Sequence, residues 1–537
     1  MNNSFLPNRR EFLGRSLGLG ALTALSTLTD FPLVMRQALA QSGLGQNGRK
    51  LIFIFLRGGN DSLNSVLPIE DDAYAASRPV IGIAKDPALD YSATGPADFP
   101  VSGGTKATFD YTYGIRTGNG FAALHPGLKF LAPVYNAGEL ALIHRVGYPH
   151  QSRSHFDSQN FWETGNPNNN LSRDGIFYRT ILESGLANTS PLTGVSFQSS
   201  LPMILRGSKA AMTNLSDTGR YNLFGIPNTT AGNNKADATL RAAMGIPFPD
   251  KRDRDFLRLQ YENLSNTLAI FASLNFSEAG NTYTDSENTD GDSEAYNLFP
   301  TAAPKNGGYT LHNNDASRFV VPAGSYDFFN RLKAAAIVLN KTDAVIAGTS
   351  LDGFDTHSNQ GAATGSHANL MKTIGWAMYG LRRYFTKYGD KASWQNVTVV
   401  TLSEFGRTSI QNSDGGTDHA EAGVMFAAGG AIKGHGRSNS GHGVFGMSPA
   451  DKFNGVAIPW TTGTTKAGSM FAQGGRYLKR AVDYRSVLGE LIRDHLGATQ
   501  AQLNRIIPGY VDPAENLRAG GICGIDTARI FGEVDLV

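Results

Sequence analysis

A run from Lys50 to Leu56 (Lys-Leu-Ile-Phe-Ile-Phe-Leu) is apolar at every position after the first and stops abruptly at Arg57-Gly58-Gly59-Asn60-Asp61. An apolar run without alternation suits a strand covered on both faces, so its polar chemistry is confined to its ends. Comparable strands are expected at Leu140–Val146, Ala344–Gly348, Val397–Leu402 and Val424–Ala428. Helical stretches are expected at Gly127–Asn136, Phe156–Glu163, Tyr326–Asn340, Ala368–Tyr388 and Tyr484–Leu496. Strands alternating with helices predict an α/β fold, a doubly wound, mainly parallel sheet with helices on both faces. A site in such a sheet lies beyond the carboxyl ends of the strands. Asp253 to Leu274 reads as a long helix, and 277–314, rich in Asn, Asp, Thr and Gly, as a polar surface insertion. No composition shift divides 41–537, which is expected to form a single domain.

The first 40 residues read differently. Arg9-Arg10 before Phe12-Leu13, a weakly apolar run from Leu17 to Leu28, and Ala38-Leu39-Ala40 give the n-region, h-region and small-residue cleavage site of a signal peptide, in order. The paired arginines fit a twin-arginine signal, making the translocation machinery the expected partner and the periplasm or exterior the expected location. The apolar run is shorter than the ~20 residues that span a bilayer, and no stable membrane span is expected. A net charge of +2 argues against a nucleic-acid partner. A lone Cys523 rules out cysteine-based zinc ribbons and iron–sulfur clusters, so any metal must be held by His, Asp or Glu. Neither H-E-x-x-H nor a Walker A sequence occurs.

Acidic and imidazole residues recur in the turns after predicted strands. Asp61 follows the first strand, Asp355-Thr356-His357 follows the strand ending at Gly348, Glu404 follows Val397–Leu402, and Asp418-His419 comes after a further Gly-rich stretch. Extended i and i+2 positions project on one side, so Asp355 and His357 can share an ion. Mixed carboxylate and imidazole shells suit a divalent zinc, manganese or iron ion. If they share one, Asp61, Asp355, His357, Glu404 and His419 should cluster within roughly 8 Å. A nucleophile is expected at a helix N-terminus, with Ser154 first choice, Ser152 second, and His155 a neighbouring base or ligand. Ser154-x-x-Asp157 equally reads as a helix cap. Arg57, Arg153 and Arg407 can grip the oxygens of an anionic ester or brace nearby carboxylates.

The blocks Leu56–Asn64, Ser154–Glu163, Phe354–Gln360, Ser403–Thr408 and Gly416–His419 resemble the bacterial domain of unknown function 1501 family, over essentially all of the mature chain. That family is similar in turn to the alkaline phosphatase and sulfatase superfamily. The resemblance implies an alkaline phosphatase-like sheet, with Asp61, Asp355, His357, Glu404, Asp418 and His419 as metal ligands; Ser154 as nucleophile, with Arg57 and Arg407 beside it, is the reading of the residues themselves. Arg57 stands where many superfamily members carry an Asp, and Glu404-Phe405 stands in place of an Asp-His pair. One ion rather than two, or a decayed site, is the expectation that follows. The implied activity is metal-dependent hydrolysis of phosphate or sulfate esters; the alternative is a non-catalytic periplasmic binding or assembly protein on a degenerate scaffold.

N-terminal sequencing of the exported protein is expected to begin at Gln41, and replacing Arg9 and Arg10 together by Lys is expected to hold the protein in the cytoplasm. Export of that double variant at the normal rate would remove the twin-arginine assignment.

Overall fold

The computed structural model describes residues 43–98, 111–188, 192–210, 212–216, 321–453 and 476–537, with short pieces between 238 and 300 and at 456, 457 and 460. The expected signal at 1–40, most of the helix expected at Asp253–Leu274 and most of the insertion at 277–314 lie outside the described residues.

In chain order, the elements that place the site are β1 (Lys50–Leu56), α1 (Ser62–Ser65), β2 (Leu140–Gly147), α2 (His155–Thr164) and α3 (Ile176–Ser184). Next come β3 (Gly194–Phe197), β4 (Thr213–Leu215), α4 (Tyr326–Lys341), β5 (Ile346–Leu351) and α5 (Ser366–Lys387). The rest are β6 (Val397–Leu402), β7 (Gly423–Gly429), β8 (Val444–Phe445), β9 (Val482–Asp483) and α6 (Tyr484–Glu490). Among the described residues these strands form one sheet in the order β8-β2-β7-β6-β1-β5-β3-β4, with β9 also on β2.

The sheet is mixed. β1 runs parallel to β5 and β6, whereas β7 is antiparallel to both β6 and β2. That reversal decides where loops fall. β1, β5, β6 and β2 leave the sheet at the same rim that β7 enters, so five adjacent strands present five connections there.

Both faces are buried, as the apolar run requires. Ile52, Ile54 and Leu56 enter one core with α4 and α5; Leu51, Phe53 and Phe55 enter the other with α2, α3 and α6. β7 splits the same way, Val424, Phe426 and Ala428 against Met425 and Ala427, because successive strand residues face opposite sides. α2 is fixed on α6 by stacking of Trp162 on Tyr484, ring centroids 4.2 Å apart, and by a 2.6 Å bond from the Tyr484 hydroxyl to the Phe161 carbonyl.

Four of the five expected strands match to within a residue or so. The fifth, expected at Ala344–Gly348, forms at Ile346–Leu351, because pairing with β1 begins at Leu51–Ile346. Ala344 instead lends its carbonyl to the buried Lys50 Nζ, which also donates to Leu339 and Thr342. Burial lowers that ammonium to about 8. The helix expected at Gly127–Asn136 is a 3₁₀ turn at Pro126–Leu128 followed by a helix over Leu131–Asn136, and the one expected to Leu496 becomes a π-helical turn after Glu490. No helix among the described residues is long and apolar enough to cross a membrane.

Gly348 lies opposite Phe53, and a Cβ there would come within 2.4 Å of the ring. Gly348→Ala is expected to cost about 1–3 kcal/mol through overpacking, read as a lower urea midpoint with an unchanged slope. Adding Phe53→Leu is expected to recover part of the loss.

Candidate metal centre

The connection after β1 has no room for side chains. Gly58 has φ +117, and a Cβ on it would sit 2.3 Å from the Asp355 amide nitrogen. Only glycine allows this turn to press against the loop after β5. The Gly58 N–H donates to Glu404 Oε1 at 2.8 Å and the Asn60 N–H to Ser403 Oγ at 2.9 Å, locking the β1 turn onto the β6 turn. Arg407 and His419 then pair as an antiparallel bridge, which brings the segment entering β7 alongside.

At this rim three imidazoles surround one carboxylate. His155 Nε2 lies 3.4 Å from Asp355 Oδ2, while His357 Nε2 and His419 Nε2 each lie 3.1 Å from Asp355 Oδ1 and 2.9 Å from each other. One ligand atom from each of His155, Asp355 and His419 falls within 4.8 Å of the others. Every imidazole is engaged behind: His155 Nδ1 with Glu404 Oε1 at 2.9 Å, His357 Nδ1 with Asp418 Oδ1 at 3.2 Å, and His419 Nδ1 with the Arg153 carbonyl at 2.9 Å. Those partners only accept, so each Nδ1 carries a proton and each ring turns its Nε2 inward.

The group is therefore an assembly of acceptors facing acceptors. His155 Nε2 and Glu404 Oε2 are buried without a hydrogen-bond partner, a condition that costs roughly 1–3 kcal/mol per group. A cation among the inward atoms relieves their mutual repulsion and gives His155 Nε2 a partner. Ligands ~2.0–2.1 Å from a tetrahedral ion stand about 3.3 Å from one another, close to the 3.4 and 3.1 Å that separate Asp355 from His155 and His419. The set fits one divalent ion, with His155, Asp355 and His419 as its nearest donors and His357 adjoining. Acceptors behind metal-binding imidazoles are the usual means of fixing their tautomer.

Charge around the centre is set by Arg407, which is fully buried and donates to the carbonyls of Gly58, Gly59, Phe354 and Thr417 and to Asp355 Oδ1. Burial pushes the Asp355 carboxyl up, but the Arg407 hydrogen bond and charge outweigh it and hold it at about 2. The hydrogen bond to Glu404 raises the His155 imidazole above its usual value, while burial lowers that of His419. Phe405 backs two of the rings, its centroid 4.8 Å from His155 and 4.6 Å from His419.

Asp355, His357 and His419 of the expected ligand set thus meet, and His155 joins them. Glu404 and Asp418 stand behind imidazoles; Asp418 also accepts from Asn412 and pairs with Arg476. Asp61 does not join the set. It caps α1, and its fully buried carboxylate is taken by Arg78 at 2.6 and 2.9 Å and by Gln360 Nε2 at 2.6 Å. Arg57 points elsewhere, stacking over Phe55 and pairing loosely with Glu163 at 3.6 Å. Arg407 is a strut with its donors committed to the loops, and is not a free fork for an anion. Ser154 is the N-cap of α2, accepting from the Asp157 N–H at 3.4 Å. Sequence reasoning missed Arg78, Arg476 and the part played by Gln360. Gln360 lies within a quoted block, but no spacing signalled the two arginines.

Residues 286–452 match the model of a family described as Protein of unknown function (DUF1501), and over this segment the chain is similar to that family. The segment holds Asp355, His357, Glu404, Asp418 and His419, whereas His155 and Asp61 lie before it. Neither the curated proteins nor the solved structures contain a match to the chain.

Arg78 is the counter-charge that lets Asp61 stay ionised in the interior. Burial raises the Asp61 carboxyl, yet the Arg78 charge and hydrogen bonds, with help from Gln360, bring it below its ordinary value. Arg78→Met is expected to cost about 3–5 kcal/mol by leaving that charge unpaired, measured by urea unfolding at neutral pH. A depressed folded-state value means that the stabilisation is present above the unfolded carboxyl pKa of about 3.9 and fades as pH falls through the folded one. The deficit of the variant should accordingly shrink in acid.

Proposed function

We propose that this chain, similar over residues 286–452 to the DUF1501 family, is an exported, metal-dependent hydrolase of phosphate or sulfate esters, built on an alkaline phosphatase-like scaffold. The observation that carries the proposal is the convergence of three imidazole Nε2 atoms on Asp355, each ring locked behind by an acceptor. His155, Asp355 and His419 would hold a divalent zinc, manganese or iron ion, which would supply polarisation of an ester oxygen and a lowered pKa of bound water. The protein's own contribution is to fix the ligand geometry and keep Asp355 ionised through Arg407.

An anionic ester is suited by the arginines that stand exposed at the rim. Arg153 is exposed, its guanidinium over Tyr477 at 4.6 Å, and its carbonyl holds His419. Arg476 is half-exposed beside Asp418. These two replace Arg57 and Arg407 as the arginines for substrate oxygens. Ser154 is the attacking hydroxyl of this proposal. It directly precedes His155 at the N-terminus of α2, where unpaired N–H groups favour negative charge. Its cap bond of 3.4 Å is longer than the usual 2.7–3.2 Å.

Elemental analysis of the purified mature chain is expected to find about one divalent ion per molecule, with His419→Ala and Asp355→Asn depleting it. Turnover is expected in a panel of phosphate monoesters, diesters and sulfate esters, and Ser154→Ala should reduce it more than ~100-fold with metal content unchanged. Retention within about tenfold would confine Ser154 to capping and leave attack to water. Bound metal without turnover of any ester would favour the binding or assembly reading, and absence of metal would overturn the centre itself.

A further inference from the structure

We infer that Gln360 is a positioning residue, a buried clamp that sets the spacing between the loop bearing Asp355 and His357 and the loop bearing Asp418 and His419, and so the affinity for a divalent ion. The inference rests on the metal reading above. Gln360 is completely buried. Its Nε2 donates to Asp61 Oδ2 at 2.6 Å, and its Oε1 accepts from Thr356 Oγ1 at 2.9 Å and from Thr417 Oγ1 at 2.8 Å. A carboxylate only accepts, so the amide can point one way alone, with its oxygen toward the two hydroxyls.

The two threonines give the clamp its meaning. Thr356 lies between Asp355 and His357, and Thr417 directly precedes Asp418 and His419. One oxygen therefore ties both ligand-bearing loops, and a 3.0 Å bond from the Thr417 N–H to the Thr356 carbonyl holds them in register. Asp61 is fixed in turn by Arg78, which also donates to the carbonyls of Thr408 and Ser409. The Thr408 N–H reaches the Asp418 carbonyl at 2.9 Å, closing the frame. Asp61, Gln360 and Arg78 have no contact with Asp355 Oδ1 or Oδ2 or with the inward imidazole nitrogens among the bonds of the described residues. The frame acts on the centre through backbone placement. Ligand atoms set 2.9–3.4 Å apart tolerate little drift of either loop.

The test uses the full mature chain with Gln360→Leu, Thr417→Val and Thr417→Ser. Cobalt(II) titration followed by its visible bands is expected to show 10–100-fold weaker binding for Gln360→Leu and Thr417→Val, and near-native binding, within about threefold, for Thr417→Ser. In metal-free protein labelled with ¹⁵N-histidine, the His357 and His419 ring signals should move in the first two variants and stay in place in the third. If the native chain takes up no cobalt while those signals still move, the metal reading fails and the clamp stands. Unmoved signals in a folded Gln360→Leu or Thr417→Val chain overturn the clamp, as does native cobalt affinity in either. Should Gln360→Leu fail to fold, the Thr417 pair decides the matter.

Discussion

Lone pairs and carboxylate oxygens repel one another at hydrogen-bond distance unless a proton or a metal cation stands between them. At the rim of this sheet the choice is narrowed by what lies behind the rings. Glu404, Asp418 and the Arg153 carbonyl all accept, so the protons of His155, His357 and His419 are drawn to the outer nitrogens. Protonating a ring fully would satisfy its inner nitrogen as well, and the environment of His155 favours this, because its hydrogen bond to Glu404 raises its pKa. His419 is driven the opposite way by burial. A neutral His419 facing His357 at 2.9 Å is an arrangement that a divalent cation completes and that neutral imidazoles alone do not.

Five neighbouring strands are needed to bring these groups together, and their directions matter as much as their order. Had β7 run parallel to β6, the segment carrying Asp418 and His419 would have approached from the far end of the sheet. Because β7 enters where β6 leaves, His419 arrives beside Glu404; because β2 runs antiparallel to β7, its exit leads into Ser154 and His155. The glycine turn after β1 then allows the β5 loop to close from the other side, with the Gly58 N–H held by Glu404. The hairpin of His435 and His442 falls at the opposite end. Gly434 pairs with Gly138 before β2 begins, and His435 stacks on Tyr135, so neither ring adds to the centre.

What was legible in the sequence follows from what period and composition encode. Uninterrupted apolar runs announced the buried strands, and helical periodicity announced α2, α4 and α5. The turns that end those strands could be named as the site because a sheet covered on both faces leaves polar groups nowhere else to gather. The antiparallel direction of β7 was not legible, since Val424–Ala428 is as apolar as a parallel strand. The division of labour among the acids was equally hidden. Asp61 looked like a ligand until Arg78, 17 residues later and with no motif around it, supplied the bidentate partner. Asp418 and Glu404 read as ligands but stand behind imidazoles, and that difference depends on a few ångströms that residue spacing does not carry.

The buried Arg78–Asp61 pair is a weak source of stability. Removing two charges from water costs several kcal/mol per ion, and apolar residues of equal volume often serve as well or better. The same holds for Arg407, whose guanidinium is wholly enclosed and spent on four carbonyls and Asp355. What such groups provide, and apolar packing does not, is direction: each donor accepts one arrangement of its neighbours. Arg407 reaches the turns after β1 and β5 and the segment before β7; Arg78, through Asp61 and Gln360, reaches the same turns from beneath. Two guanidinium groups thus fix one set of loops, and the cost of enclosing them is understandable where a few tenths of an ångström decide how three imidazoles meet one carboxylate.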